Sequence, residues 1–113
     1  MAFPHGMSLH VTVYVAPENV DSFFAAFKPV FDKVIAEPEC LFFEVYQIPN
    51  TPGKISWVED WSKSPYWFLK EQITKDYYKE YLAVTEPMFI KPREFQFYER
   101  LGDEYYYRAS ASH

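Results

Sequence analysis

The chain has 113 residues, of which 49% are apolar and 21% are aromatic, and it carries a formal net charge of −5. This length fits one domain with one core, and the acidic balance argues against nucleic acid and anionic membrane surfaces as partners, because both bind basic patches. The 11 Phe, 10 Tyr and 3 Trp exceed what a single small core needs, so we expect some of them to line a cavity or an interface.

The first half of the chain predicts a strand, a helix and two further strands. Residues 8–15 alternate between apolar and polar side chains, as in a half-buried strand. Apolar residues at steps of three and four predict a helix from Val20 to Ile35, with a bend at Pro29. Residues 41–48 and 54–61 predict two strands joined as a hairpin by a Pro- and Gly-containing turn.

The second half adds a helical region and a strand. Ser64 is the expected N-cap of a helical region over 66–84, interrupted near 73–74. Residues 95–101 predict the fourth strand. The order β-α-β-β-α-β predicts an α+β, ferredoxin-like fold with an antiparallel sheet. We therefore divide the chain into an N-terminal extension (1–7), a domain (8–101) and a polar C-terminal tail (102–113).

Helices on one face of such a sheet leave the other face uncovered. The strand predicted at 41–48 is apolar on both faces apart from Glu44 and Gln47. A second copy of the chain covering the open face would resolve this conflict, so we predict a homodimer. Tyr105, Tyr106 and Tyr107 in the tail are further candidates for contact with a partner.

The location of the protein is predicted from what the chain lacks. A single cysteine, Cys40, allows no intramolecular disulfide, which fits a reducing compartment. The first residues do not resemble a signal peptide, and no apolar run approaches the about 18 residues of a membrane-spanning helix. We expect a cytoplasmic protein with no membrane partner.

Three segments resemble the antibiotic biosynthesis monooxygenase (ABM) family. The stretch 11–18 (VTVYVAPE) before a Phe-rich helix is similar to the family's opening, the stretch 37–45 (EPECLFFEV) to its entry into the second strand, and 59–62 (EDWS) to the end of its third strand. The resemblance spans roughly residues 8–100, and the abundance of Phe and Tyr is closer to the fungal members than to the bacterial ones.

This resemblance implies a dimeric α+β barrel with a pocket in each subunit between sheet and helices. It implies an activity such as cofactor-free oxygenation of aromatic polyketides or quinols, and some relatives degrade haem. The haem-degrading branch has an iron-binding His where this chain has Lys70 and Glu71, so a haem role is not expected.

His10, Glu59 and Trp61 are the predicted catalytic residues. In similar family members the Trp at position 61 lines the pocket, although it could equally be a core residue at the strand-to-helix corner. Glu59 is either a buried carboxyl with a raised pKa that accepts a proton, or the ion-pair partner of Arg93 or Arg100. His10 is a general base if its sheet face meets the pocket, and an interface residue if that face meets the partner.

Aromatic side chains are the predicted substrate-binding residues. Trp57 shares a strand face with Glu59 and Trp61, and Tyr66 and Trp67 open the second helical region near the same corner. The remaining members of this predicted set are Phe27, Tyr46 and Tyr81.

The predicted function is a cofactor-independent monooxygenase acting on an aromatic or polyketide-type small molecule in secondary metabolism. The chain has no His pair or Cys cluster at ligand spacing and no Gly-rich phosphate loop, so no metal and no cofactor are expected. The same side chains could serve a cofactor-free decarboxylase or cyclase, or a dimer that binds hydrophobic metabolites without turnover.

Overall fold

A computed structural model describes residues 2–109 of the chain. Four strands and three helices follow one another in the predicted order. The elements are β1 (Met7–Tyr14), α1 (Val20–Ile35), β2 (Cys40–Gln47), β3 (Lys54–Trp61), α2 (Pro65–Trp67), α3 (Tyr77–Thr85) and β4 (Glu94–Glu99).

The strands form one antiparallel sheet in the order β2-β3-β1-β4. Both helical crossovers therefore skip one strand, as the ferredoxin-like arrangement requires. Strands β3 and β1 occupy the centre, where Leu9 lies opposite Glu59 on one side and Phe97 on the other. Because side chains alternate between faces, this register places Glu59 on the same face as the apolar residues of β1.

The helices pack on that face and close the core over it. Helix α1 buries a stripe at steps of three and four residues: Phe23, Phe27, Val30 and Val34. This spacing is the one read from the sequence. Pro29 lies inside α1, which runs without interruption through Ile35.

The second helical region is divided, as predicted. The Ser64 hydroxyl accepts a hydrogen bond from the backbone N–H of Trp67 at 3.1 Å and caps α2. A π-helical turn, Phe68–Gln72, continues α2 and closes with a bond from the Ile73 N–H to the Phe68 carbonyl at 2.9 Å. Turns then separate it from α3, so the interruption near 73–74 is confirmed.

The opposite face of the sheet has no helix over it in residues 2–109. Side chains alternate along β2, so its apolar residues divide between the two faces, and the pairing with β3 has a register shift between Cys40 and Phe42. Phe43 and Val45 face the helices, whereas Phe42 and Tyr46 lie on the open face. The open face thus retains large apolar side chains.

The ends of the described chain depart from the predicted boundaries in detail. Met7, predicted to belong to the N-terminal extension, is the first residue of β1 and is wholly buried. Tyr105 and Tyr107 are highly exposed, while residues 110–113 of the predicted tail lie outside the described residues. None of the helices described between residues 2 and 109 has the length and apolar character needed to cross a bilayer.

Candidate active site

Strand β3 presents Trp57, Glu59 and Trp61 in a row on the helix-facing side of the sheet. Alternation along a strand places residues two apart on one face, which is why these three side chains meet. The Trp57 indole donates its Nε1–H to Glu59 Oε2 at 2.8 Å, and the Trp61 indole donates to Glu59 Oε1 at 3.0 Å. Each carboxyl oxygen therefore accepts one indole hydrogen bond and keeps a lone pair for another partner.

Glu59 is a buried carboxyl with only 7% of its surface exposed. Burial raises its pKa to about 7, although the hydrogen bonds from Trp57 and Trp61 act in the opposite direction. The interpretation of Glu59 as an ion-pair partner is wrong for the described residues. Arg93 instead pairs with Glu86 at 3.2 Å, and Arg100 lies 3.9 Å from Asp60.

A cavity of about 240 Å³ lies beside this carboxyl, between the sheet and the second helical region. The sheet contributes Leu9, Val11, Trp57, Glu59, Phe95 and Phe97, and the helical side contributes Phe68, Leu69, Ile73, Tyr78, Tyr81 and Leu82. Arg93 completes the lining from the segment before β4. The wall is thus apolar and aromatic, with one carboxyl, two phenols and one guanidinium.

A smaller cavity of about 40 Å³ adjoins the first on the side of α1. Phe27 lines it together with Trp57, Glu59 and Tyr81. The rings of Phe27 and Trp57 lie 4.9 Å apart, so they form a packed aromatic wall at this end.

The structure brings most, but not all, of the predicted site residues together. Trp57, Glu59 and Tyr81 line the larger cavity, whereas Trp61 is wholly buried behind it and bonds to Glu59. Trp67 packs on Trp61 with ring centroids 5.8 Å apart and does not line the cavity.

Three predicted residues lie elsewhere. His10 and Tyr46 are on the open face of the sheet, because they alternate with the core residues of β1 and β2. The His10 ring contacts Tyr98 at 4.4 Å between centroids and lies within 3.0 Å of the Ser8 hydroxyl. Tyr66 projects from the helical side and is 70% exposed. None of these residues lines the cavity, and Glu59 is the one carboxyl among the described lining residues.

Sequence reasoning missed Tyr78 and Arg93 as site residues. Tyr78 lies one helical turn before Tyr81, so the spacing on α3 could have assigned both to one wall. Arg93 lies in the segment before β4, where no periodic pattern indicates the direction of a side chain.

Comparison with known proteins identifies relatives of this arrangement. Residues 7–67 match the family described as antibiotic biosynthesis monooxygenase. A protein of Pestalotiopsis microspora named "Putative monooxygenase" is 34% identical over 100 residues, which are 88% of this chain and 83% of that protein.

Solved structures share the fold. A "putative antibiotic biosynthesis monooxygenase" from Caulobacter crescentus superposes with a TM-score of 0.77 at 22% identity, covering 88% of this chain and 93% of that one. One from Nitrosomonas europaea gives a TM-score of 0.79 at 17% identity, covering 90% and 96%. These likenesses confirm the α+β, ferredoxin-like fold.

Proposed function

The chain belongs to the antibiotic biosynthesis monooxygenase family, and we propose that it is a cofactor-independent oxygenase of a small aromatic or polyketide-type molecule in secondary metabolism. The family and the relative from P. microspora support a monooxygenase-like role. The substrate class is inferred from the cavity and from the reactions that the family resemblance implies.

The placement of the Glu59 carboxyl carries this proposal. A carboxyl that faces an aromatic cavity, and whose pKa is raised by burial to about 7, can exchange a proton with a bound molecule near neutral pH. The two indole donors hold both oxygens in place without adding positive charge. A fixed proton acceptor in an apolar wall suits a substrate whose acidic hydrogen lies on an aromatic ring system.

The proposed reaction converts an activated CH₂ group and dioxygen into a ketone and water. Glu59 first takes a proton from the CH₂ group, and the resulting carbanion transfers one electron to dioxygen. The two radicals combine to form a C–O bond, and the peroxide oxygen receives the proton back from Glu59. Removal of the second C–H proton then breaks the O–O bond, and the hydroxide that leaves is protonated to water.

The cavity limits the size of the substrate. Its volume of about 240 Å³ lies below the roughly 300–1,000 Å³ of pockets for drug-sized ligands. The aromatic walls favour a flat molecule, and Arg93 lies in the lining where it could meet a carbonyl, phenolate or carboxylate oxygen. A compact anthrone meets these requirements.

Oxygen consumption tests the proposal. Purified protein treated with a chelator should consume one dioxygen per anthrone converted, and the product should gain one oxygen atom and lose two hydrogens. Glu59→Gln should lower the rate by about a hundredfold or more, as expected for loss of a general base. The matched control Glu18→Gln, on an exposed turn away from the cavity, should keep the wild-type rate.

Other outcomes assign the alternative functions. Product formation without dioxygen would indicate a decarboxylase or cyclase, and tight binding without turnover would indicate a binding protein. An absence of oxygen uptake across such substrates would overturn the oxygenase.

We also propose that the open face of the sheet binds a second copy of the chain. Tyr46 is 43% and Tyr98 is 49% exposed on this face, although both are large aromatic residues. A symmetric dimer would cover them and form the barrel that the family resemblance implies.

A further inference from the structure

A line of polar side chains connects the protein surface with the helical wall of the cavity. The Lys75 ammonium donates to Glu37 Oε2 at 2.7 Å, and the Tyr77 hydroxyl donates to the same oxygen at 2.6 Å. Gln72 Nε2 lies 2.6 Å from the Tyr77 oxygen and 2.8 Å from the Tyr78 oxygen. The line therefore ends at Tyr78, which lines the cavity beside Glu59.

The donor and acceptor of each hydrogen bond can be assigned by starting at the ion pair between Lys75 and Glu37. The hydrogen bonds from Lys75 and Tyr77 lower the pKa of Glu37, so this carboxyl stays ionised and can only accept. Burial and the bond to Glu37 raise the pKa of Tyr77 to about 12, so its phenol stays protonated. Its single proton lies on the bond to Glu37, and its oxygen must therefore accept from the Gln72 amide nitrogen.

The same reasoning fixes the Tyr78 hydroxyl. The second hydrogen of the Gln72 amide is donated to the Tyr78 oxygen, so that bond does not use the Tyr78 proton. Burial strongly raises the pKa of Tyr78, and the nearby Glu59 adds to the rise, so the hydroxyl remains a donor. Among residues 2–109 the Tyr78 hydroxyl donates no hydrogen bond within 3.5 Å, so its proton is available to an acceptor in the cavity.

In this orientation the Gln72 amide leaves its own oxygen without a hydrogen bond within the described chain. Gln72 is completely buried, and its Oε1 has no hydrogen-bond partner among residues 2–109. Rotating the amide would let Oε1 accept the Tyr78 proton, but it would leave the Tyr77 oxygen without its donor. Unpaired buried acceptors are rare and call for an explanation. Gln72 also ends the π-helical turn Phe68–Gln72, a distortion frequent at functional sites.

We propose that the Tyr78 hydroxyl donates a hydrogen bond to the substrate oxygen that becomes negative when Glu59 removes a proton, and that Tyr77 and Gln72 are the positioning residues that keep this hydrogen free. The inference rests on the proposed function for its substrate. In the first step Glu59 accepts the substrate proton, while Tyr78 stabilises the negative oxygen from another wall of the same cavity.

The ionisation of a bound hydroxyanthraquinone tests the proposal without turnover. The phenol and phenolate forms of such a dye absorb at different wavelengths, so its pKa in the cavity can be titrated under nitrogen. A donor aimed at the phenolate oxygen lowers that pKa. We expect Tyr78→Phe to decrease the ionisation constant of the bound dye about tenfold, which corresponds to one pKa unit.

The Tyr77→Phe variant separates positioning from contact. Tyr77 does not line the larger cavity, but without its oxygen the Gln72 amide can rotate and accept the Tyr78 proton. We therefore expect Tyr77→Phe to lower the ionisation constant about as much as Tyr78→Phe. Gln72→Met, which removes the amide, should change the dye's pKa as well. The matched control is Tyr66→Phe, which should leave the dye's pKa unchanged because the Tyr66 hydroxyl is remote from the cavity.

Each outcome of the dye titration supports or overturns part of the proposal. An unchanged pKa of the dye in Tyr78→Phe overturns the assignment of Tyr78 as the hydrogen-bond donor. An unchanged pKa in Tyr77→Phe overturns the positioning role of Tyr77 and Gln72. Failure of the wild type to bind the dye also overturns the inference, because the cavity would not admit its ligand. If the dye shows the expected shifts but no oxygen is consumed, the oxygenase fails while this inference stands.

Discussion

At the scale of single residues, the burial of Glu59 determines both reactivity and stability. The folded chain holds the Glu59 proton up to a pH of about 7, whereas the unfolded chain releases it near the ordinary glutamate value. The folded state thus binds more protons than the unfolded state between these two values. The resulting stabilisation is complete at low pH and is lost as the pH rises to about 7.

We expect Glu59→Gln to flatten this pH dependence. A glutamine does not titrate, so its free energy of unfolding should change less than that of the wild type as the pH rises through the window ending near 7. Chemical denaturation at a series of pH values measures the difference, and Glu18→Gln should retain the wild-type slope. An equally steep slope in Glu59→Gln would show that other groups cause it.

The activity should follow the same ionisation in the opposite direction. Only ionised Glu59 can accept a proton, so kcat/KM should rise about tenfold per pH unit below about 7 and level off above it. The measurement is the initial rate of oxygen uptake from pH 5 to 9 (roughly the range around the pKa). A rate that falls through this range would exclude Glu59 as the base.

Individual site residues could be predicted from the sequence only where a strand pattern gave them a face. Trp57, Glu59 and Trp61 alternate along one strand, and the structure places them together. His10 follows the same alternation, but the sequence does not say which face the helices cover. The hydrogen bonds of Glu59 depend on indole orientation, which no residue pattern encodes, so the sequence could not decide between a buried carboxyl and the arginine pair, of which the second was wrong.

At the scale of elements, the order and most boundaries of the strands and helices followed from periodicity. Strand β3 was predicted with its observed bounds, and the break before α3 was expected. The π-helical turn Phe68–Gln72 was not predicted, because its ring closure changes the spacing of side chains without changing residue composition. This turn places Gln72 within hydrogen-bond distance of Tyr77 and Tyr78, so the missed detail is the one that orients the Tyr78 hydroxyl.

The start of β1 depends on a glycine. Gly6 has a φ of +82°, and a Cβ there would lie 2.0 Å from the Trp61 carbonyl oxygen. Gly6→Ala should therefore separate the ends of β1 and β3 next to Trp61 and lower the thermal midpoint by several degrees, with a cost of roughly 1–3 kcal/mol. Differential scanning calorimetry measures the change.

Gly102→Ala is the matched control for this variant. Gly102 also has a positive φ, +99°, but its added Cβ would meet the side chain of His5, which can move. We expect a smaller loss of stability than in Gly6→Ala. Equal losses would attribute the effect to backbone conformation alone and not to the contact with β3.

At the scale of the whole molecule, the aromatic excess divides between the two faces of the sheet. The helix-facing side uses Phe27, Trp57 and Tyr81 for the core and cavity walls. The open face retains Tyr46 and Tyr98, for which the described chain offers no covering helix. Composition alone indicated that the surplus existed, but only the register of the sheet assigns its members to the two faces.

If a second copy covers the open face, charges placed there should dissociate it. We expect the wild type to sediment at micromolar concentration with about twice the 13.5 kDa mass of the chain. Tyr46→Lys and Tyr98→Lys should shift it toward the monomer, because each would bury an unpaired ammonium in the interface. Both residues are partly exposed in the single chain, so the fold should survive, as far-ultraviolet circular dichroism can verify.

The matched variant Tyr66→Lys, on the helical side and 70% exposed, should remain dimeric. A monomeric wild type would contradict the proposed barrel, and dissociation by Tyr66→Lys alone would move the interface to the helical side.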